Sequence, residues 1–442
     1  MRRFSIIFVM MMLAFCQSSV ALEFRMQGDR VWMKAKNASV VDVLEAFRGC
    51  NVEVLVDPSL SMTKISGSWE NTKTDRFVEQ ISGKYGYLLK WRKLKGPLGA
   101  LYQLASIKIY SPKNPEGAKP LSKKERVLDV MTGTNGVQYL RGEVLVGFSG
   151  DASVKDLNAL LKKVSGTVIE VINPMGIYRI KLPEGLSVEA ALALIKKMDH
   201  VKGAEPNLAF KRMDVFHTPY EKPVTGMNLH LRPGETAVAV FDSGLDPKYA
   251  QLSVIRGSYN AVDPESPMSD PLGHGTLTAL VASGVITPAG ASPAETGVPV
   301  LAVRTFDKNG MTSSDILFRA MDFAAKSNVK YVSMSWGAET SSAFIQAAMN
   351  YAVKRGLILY ASAGNKPTGV PIYPAGYPNV RAIGGLDPSG ARWEKSNFGD
   401  FVEEYAPAFA NLNGVHYEGT SVSAPRAVYE VIQREKEHSN PK

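Results

Sequence analysis

TAVAVFDSGLD, Thr236 to Asp246, is a run of small and β-branched apolar residues that stops on an acid and turns at once through Ser243-Gly244. The run shows no polar alternation. As a strand it must be buried on both faces, the condition of a parallel sheet covered by helices. VPVLAV at 298–303, VKYVSMS at 329–335 and GLILYASA at 356–363 read the same way. Between them, Ser313 to Lys326 and Ser342 to Lys354 have helical length and spacing. Strands alternating with helices predict a layered α/β domain from about Tyr220 onward.

The acid that ends the first strand, Asp242, is one of four residues set at glycine-rich turns. LGHGTLTALVASG places His274 between Gly273 and Gly275, ahead of a helix predicted over Thr276 to Ala282. The glycines keep bulk away from the ring and let substrate approach. YEGTSVSAP places Ser421 after Gly419-Thr420, with Pro425 read as part of the first turn of a helix running toward Glu435. LILYASAGNKP adds Asn365, an amide able to donate to a developing oxyanion. Taken singly, Asp242 satisfies turn donors, Ser421 caps a helix and Asn365 makes a turn. Taken together they supply an acid, a base, a nucleophile and an oxyanion donor. His200, His217, His230, His416 and His438 have no comparable setting and no zinc spacing, which disfavours a metalloprotease.

Upstream, Gly142 to Phe210 shows a second pattern. GEVLVGF, TVIEVI, IYRIKL and Val201 to Leu208 read as strands, and Val154 to Leu161 and Val188 to Met198 as helices. Asn173-Pro174-Met175-Gly176 is the turn between the middle strands. The order βαββαβ is that of a ferredoxin-like α+β unit.

With the order Asp242, His274, Asn365, Ser421, the chain resembles the subtilisin (subtilase) family of serine proteases. The resemblance implies a three-layer domain with a central parallel sheet, endopeptidase activity through a Ser-His-Asp triad and an acyl-enzyme, and protein or peptide substrates. It implies Asp242, His274 and Ser421 as the catalytic residues, with Asn365 and the Ser421 N–H as the oxyanion hole. Ser335, Trp336 and Gly337 would line the substrate cleft, with Ala363 and Gly364 on the other side of the primary pocket. Many relatives have leucine at the position of Trp336, so that region should be reshaped. The Gly142–Phe210 unit, ending in VKGAEPNLAF, resembles the family's N-terminal propeptide, which implies that the chain is its own inhibited precursor and cuts itself. The family needs no cofactor for its chemistry; it often holds structural calcium, but no oxygen-ligand loop here assigns a site. One departure is that only 21 residues follow Ser421, fewer than relatives carry, with Arg426-Ala427-Val428-Tyr429 where a glycine-containing continuation is usual. The competing expectation is therefore a catalytically silent envelope protein-binding module on a subtilase scaffold.

The N-terminus is informative too. Met1-Arg2-Arg3, the apolar Phe4 to Cys16 and the small Ser19-Val20-Ala21 predict a signal peptide over residues 1–21, hence export to the periplasm or beyond. No other stretch reaches 18 apolar residues, so no membrane span is expected in the mature chain. That chain keeps one cysteine, Cys50, and so can form no internal disulfide; we read Cys50 as a buried apolar residue. Leu22 to Tyr110 is mixed α/β, with strands at Val31–Met33, Val52–Val56 and Tyr85–Trp91 and helices at Val40–Phe47 and Phe77–Ile81. KNASVVDVLEAF and ISGSWENTKTDRFVEQISGKYGYLLKW resemble the secretin and TonB short N-terminal domain, which implies an envelope protein as partner for residues 22–110. The breaker-rich Ser111 to Pro120 opens a linker over residues 111–141, residues 211–227 are a connecting segment and processing region, and the catalytic domain runs over residues 228–442. Apolar residues at 45%, charged residues at 21% and a net charge of +9 without arginine runs describe globular protein and argue against nucleic acid.

Overall fold

The computed structural model describes residues 22–60, 63–121, 126–212, 231, 235–264 and 266–439. The expected signal peptide, residues 1–21, and most of the expected connecting segment lie outside these residues. The chain divides into two units, Met1–Trp91 with Leu104–Leu121, and Arg92–Gln103 with Ser122–Lys442.

The first unit runs β1 Leu22–Gln27, β2 Arg30–Ser39, α1 Val40–Arg48, β3 Glu53–Val56, β4 Lys64–Lys73, α2 Thr74–Ser82, β5 Gly86–Gly96, β6 Gly99–Tyr110 and β7 Lys119–Pro120. β1, β2 and β4 form one sheet; β5, β6, β3 and β7 form another. Ser39 and Asp42 close a capping box at the start of α1. Val43, Leu44 and Phe47 then face inward, with the Phe47 ring 5.7 Å from that of Phe77 on α2. Cys50 is buried and in no disulfide. Part of the expected linker is ordered: Lys119 and Pro120 pair with Val56 and Leu55. The far ends of β5 and β6 group with the second unit, where Leu94, Leu98 and Leu101 pack on the core of its smaller module.

That module comprises β8 Val130–Thr132, β9 Gln138–Phe148, α3 Val154–Val164, β10 Thr167–Ile172, β11 Ile177–Lys181, α4 Val188–Ile195 and β12 Val201–Lys211. Val144, Val146, Tyr178 and Ile180 turn to one face and pack on Leu157, Leu160, Ala191 and Ile195 of the two helices. The alternate residues, among them Leu145 and Ile177, turn to the other face and join the core of the larger domain. β12 continues past Leu208 to Lys211 because it gains a partner there: Ala209, Phe210 and Lys211 pair antiparallel with Ser313, Thr312 and Met311.

The larger domain holds β13 Val238–Asp242, β14 Ile255–Asn260, α5 His274–Ala282, β15 Val300–Arg304, β16 Met311–Ser313, α6 Ser314–Lys326, β17 Tyr331–Met334, α7 Ala343–Lys354, β18 Ile358–Ser362, β19 Val380–Leu386, β20 Val402–Pro407, the hairpin strands β21 Phe409–Leu412 and β22 Val415–Glu418, and α8 Thr420–Ser439. Seven strands form a parallel sheet in the order β14-β15-β13-β17-β18-β19-β20. Each apolar run serves two cores. Ala239 and Phe241 pack with α6 and α7, while Val238 and Val240 pack with α5 and α8. The layers are helix, sheet, helix. Chain order reverses at β13, whose neighbours β15 and β17 connect outward in opposite directions, so its C-terminal end opens on the crevice where such sheets place their sites.

Candidate active site

Asp242 is the last residue of β13, at that crevice. Its Oδ1 lies 2.7 Å from His274 Nδ1 and accepts the Ser243 N–H at 2.7 Å; its Oδ2 accepts the Thr278 hydroxyl at 3.2 Å. Both side chains of the pair are almost wholly buried. Burial pushes the Asp242 carboxyl up, but His274, the Arg212 guanidinium and the Ser243 N–H outweigh it and hold the group below its ordinary value. A carboxylate against Nδ1 fixes the proton on that nitrogen and leaves Nε2 as the acceptor. Nε2 is buried and has no hydrogen-bond partner among the described residues. An acceptor nitrogen left open in this way can take a proton from a group placed beside it.

A residue that the sequence reading did not single out locks the two turns together. Asp270 accepts the Ser243 hydroxyl at 2.7 Å on one oxygen, and the Thr276 N–H at 2.8 Å and hydroxyl at 2.7 Å on the other. Ser243 Oγ accepts the Gly275 N–H at 2.9 Å, and Thr276 Oγ1 the Asp246 N–H at 2.8 Å. The signal was present: an acid four residues before His274. Two glycines, Gly244 and Gly275, serve this contact. A Cβ on Gly275 would sit 2.4 Å from the Gly244 carbonyl oxygen, and one on Gly244 2.0 Å from that of Ser269. They let two turns touch backbone to backbone.

Ser421 is the second residue of α8 and buried, so its N–H belongs to the open first turn of a helix. α5 and α8 pack together through Leu277 and Val281 against Val422, which sets the helix starts bearing His274 and Ser421 on the same side of the sheet. Pro425 is the sixth residue of α8, not part of its first turn as expected. Lacking an N–H, it leaves the carbonyl four residues back, that of Ser421, without its helical partner. Ser335 Oγ donates to that oxygen at 2.9 Å, which accommodates the proline and ties Ser421 to the residue that follows β17.

Asn365 follows β18. Its Oδ1 accepts the Thr420 N–H at 2.9 Å and hydroxyl at 2.8 Å, which assigns the other end of the amide as the donor. A Cβ built on Gly419 would lie 3.0 Å from Asn365 Nδ2 and 3.1 Å from Ser421 Oγ. Amide donor and hydroxyl therefore converge on the space that Gly419 leaves open.

Asn365, Gly337 and Gly364 line a cavity of about 820 Å³, shared with Leu208 to Arg212 from the end of β12 and with Ile372. Of the other residues expected at the substrate cleft, Ser335 and Ala363 are buried behind it. Trp336 is buried under the β12 end, its ring 5.9 Å from that of Phe210 and 6.4 Å from that of Phe306. Ile372 was not singled out beforehand. A Cβ on Gly337 would lie 2.3 Å from its Cδ1, and one on Gly364 2.9 Å, so its tip is wedged between the two glycines. Among the described residues no three His, Cys, Asp or Glu side chains group as a metal would need, and no helix is long and apolar enough to cross a membrane.

Comparison with known proteins bears on this arrangement. Residues 234–431 match the subtilase family and residues 125–207 the fervidolysin N-terminal prodomain. A thermophilic serine proteinase of Bacillus sp. (strain AK1) is 28% identical over 310 residues, 65% of this chain and 76% of that protein. Thermitase of Thermoactinomyces vulgaris is 29% identical over 199 residues, 42% of this chain and 70% of that protein. Among solved structures, fervidolysin from Fervidobacterium pennivorans, described as a keratinolytic enzyme related to subtilisin, shares the fold with a TM-score of 0.53 and 22% identity. That match covers 72% of this chain and 58% of fervidolysin.

Proposed function

We propose that the chain is a subtilase-family serine endopeptidase with a fervidolysin-type N-terminal prodomain, that it works through Asp242, His274 and Ser421, and that it processes itself. The carrying observation is the 2.7 Å contact of Asp242 with His274 Nδ1, which leaves a buried, unpartnered Nε2. His274 Nε2 takes the Ser421 hydroxyl proton as Oγ attacks a peptide carbonyl. Asp242 holds the tautomer and balances the imidazolium. The Asn365 amide and the Ser421 N–H stabilise the tetrahedral oxyanion. His274 then protonates the leaving amine, and water, deprotonated by the same nitrogen, hydrolyses the acyl-enzyme.

The precursor reading is supported by β12. Its last three residues add a strand to β16, the Arg212 N–H donates to the Gly310 carbonyl at 2.8 Å, and Leu208 to Arg212 line the cavity that Asn365 also lines. Extended peptides bind exposed strands in this way. The prodomain end would thus occupy the path of a substrate, with the cut falling after it, between Phe210 and Met227. We further propose export through residues 1–21 to the periplasm or beyond, and an envelope protein as the partner of residues 22–110. A fluorophosphonate probe tests the catalytic assignment. Labelling of a peptide containing Ser421, abolished by Ser421→Ala, is expected; a correctly folded, processed protein that takes no label contradicts it.

A further inference from the structure

Between the prodomain sheet and α6 lies a group of six charges that the chemistry above does not use. Arg179 on β11 forms a bidentate pair with Glu143 on β9, at 2.8 and 3.1 Å, and reaches Glu170 on β10 at 3.1 Å. The same Nη1 lies 3.1 Å from Asp315 Oδ2 on α6. Arg319, one turn further along α6, binds both oxygens of Glu170 at 2.9 and 2.8 Å and lies 3.0 Å from Asp315. Arg126, upstream of β8, reaches Asp315 at 3.1 and 3.2 Å. Asn207 on β12 donates to Glu143 and to Asp315, both at 2.9 Å. Asp315 has no side-chain exposure, and Arg179 and Glu143 have 9% each.

A cut after β12 would divide these residues unequally. Arg126, Glu143, Glu170, Arg179 and Asn207 go with the prodomain; Asp315 and Arg319 stay with the protease. Each side is neutral on its own, yet its charges find their remaining partners across the boundary: Asp315 with Arg126, Arg179 and Asn207, and Arg319 with Glu170. Removing one partner from a buried ionic set leaves an uncompensated charge, and that is far costlier than removing a matched pair.

We propose that this cluster decides which protease domain the prodomain recognises, so that the prodomain rejects a protease domain lacking the Asp315–Arg319 pair. The proposal rests on the precursor reading but can be tested without the enzyme's own chemistry. A site for an added protease is placed within residues 215–222 of the full-length Ser421→Ala protein, the chain is cut, and dissociation of the two pieces is followed at neutral pH by exchange with a fluorescently labelled prodomain piece. The pieces are expected to co-elute. Asp315→Asn, nearly isosteric, should speed dissociation at least 100-fold because three arginines, two of them across the boundary, lose their shared carboxylate. As a second route, Glu170→Gln and Arg319→Gln are each expected to weaken binding, with the double variant at least tenfold tighter than the two single effects would combine to give. Free separation of the parent pieces overturns the proposal. So does an Asp315→Asn rate within about threefold of the parent, or a cycle with less than threefold coupling. None of these outcomes depends on Ser421, so failure here is separable from failure of the catalytic assignment, which the probe reads.

Discussion

Two buried charge clusters in this molecule follow opposite rules. Around Asp242 both carboxylate oxygens are engaged, while Nε2 of the His274 ring they hold is shut away from water and left without a partner among the described residues. At the prodomain boundary each of six charges meets an opposite charge at 3.1 Å or less. On the proposed mechanism the first arrangement keeps a valence open for a proton in transit. The second pairs its charges with one another across the boundary between prodomain and protease domain. Burial alone therefore does not mark a site of reaction.

The sharpest way to break the first cluster is Asp242→Asn. The new amide would donate to Nδ1, force the proton onto Nε2 and remove the acceptor; the turnover number should fall by about 10⁴-fold while the fold persists. Steady-state kinetics on a peptide amide, with a circular dichroism control, would measure it. Asn365→Ala comes next, with a loss of roughly 10²–10³-fold in turnover and little change in the Michaelis constant, because the amide acts mainly on the tetrahedral state. Asp270→Ala should leave the Ser243 and Thr276 donors unpaired and lower the unfolding free energy by about 3 kcal/mol, read by urea denaturation. A smaller, specific change is expected at Ile372: Ile372→Ala vacates the space between Gly337 and Gly364 and should raise kcat/KM for bulky over small substrate side chains by roughly tenfold.

Acid sharpens the comparison in the second cluster. Burial pushes Glu143, Glu170 and Asp315 up, but Arg126, Arg179, Arg319 and the nearby Lys181 outweigh it, holding all three below their ordinary values and Asp315 well below. Arg92 also faces Glu170. A depressed carboxylate contributes stability above its unfolded pKa, and that contribution is lost as pH falls through the folded value. The cut pieces should thus stay together at neutral and mildly acidic pH and separate only below the ordinary carboxylate range. Gel filtration across pH would show it.

Much of the fold was legible because the parallel strands are apolar throughout. The run ending in Asp242 has to be buried on both faces, and it is, with alternate residues in two cores. Strand β4, KISGSWENTK, offered no such run and lies largely exposed. β19 and β20 hide behind glycines, glutamates and a proline. The extension of β12 to Lys211 depends on Thr312, a hundred residues on, and no local pattern announces it. The four motif residues were legible because glycines punctuate them. Asp270 and Ile372 were not, since each acts through a turn or a gap that exists only once the chain is folded. Glu143 and Arg179 were harder still: on an amphipathic strand a charge reads as the wet face, and here that face is covered by another domain.

The central claim is that one serine both defines the enzyme and releases it from its prodomain. Intact mass and N-terminal sequencing of the wild-type and Ser421→Ala proteins, exported by the same host, test it most directly. The account predicts two pieces from wild type, cut between Phe210 and Met227, and a single signal-cleaved precursor from Ser421→Ala. Cleavage of the Ser421→Ala protein at the same bond and to the same extent, or a wild-type chain that is never cut there, would contradict it.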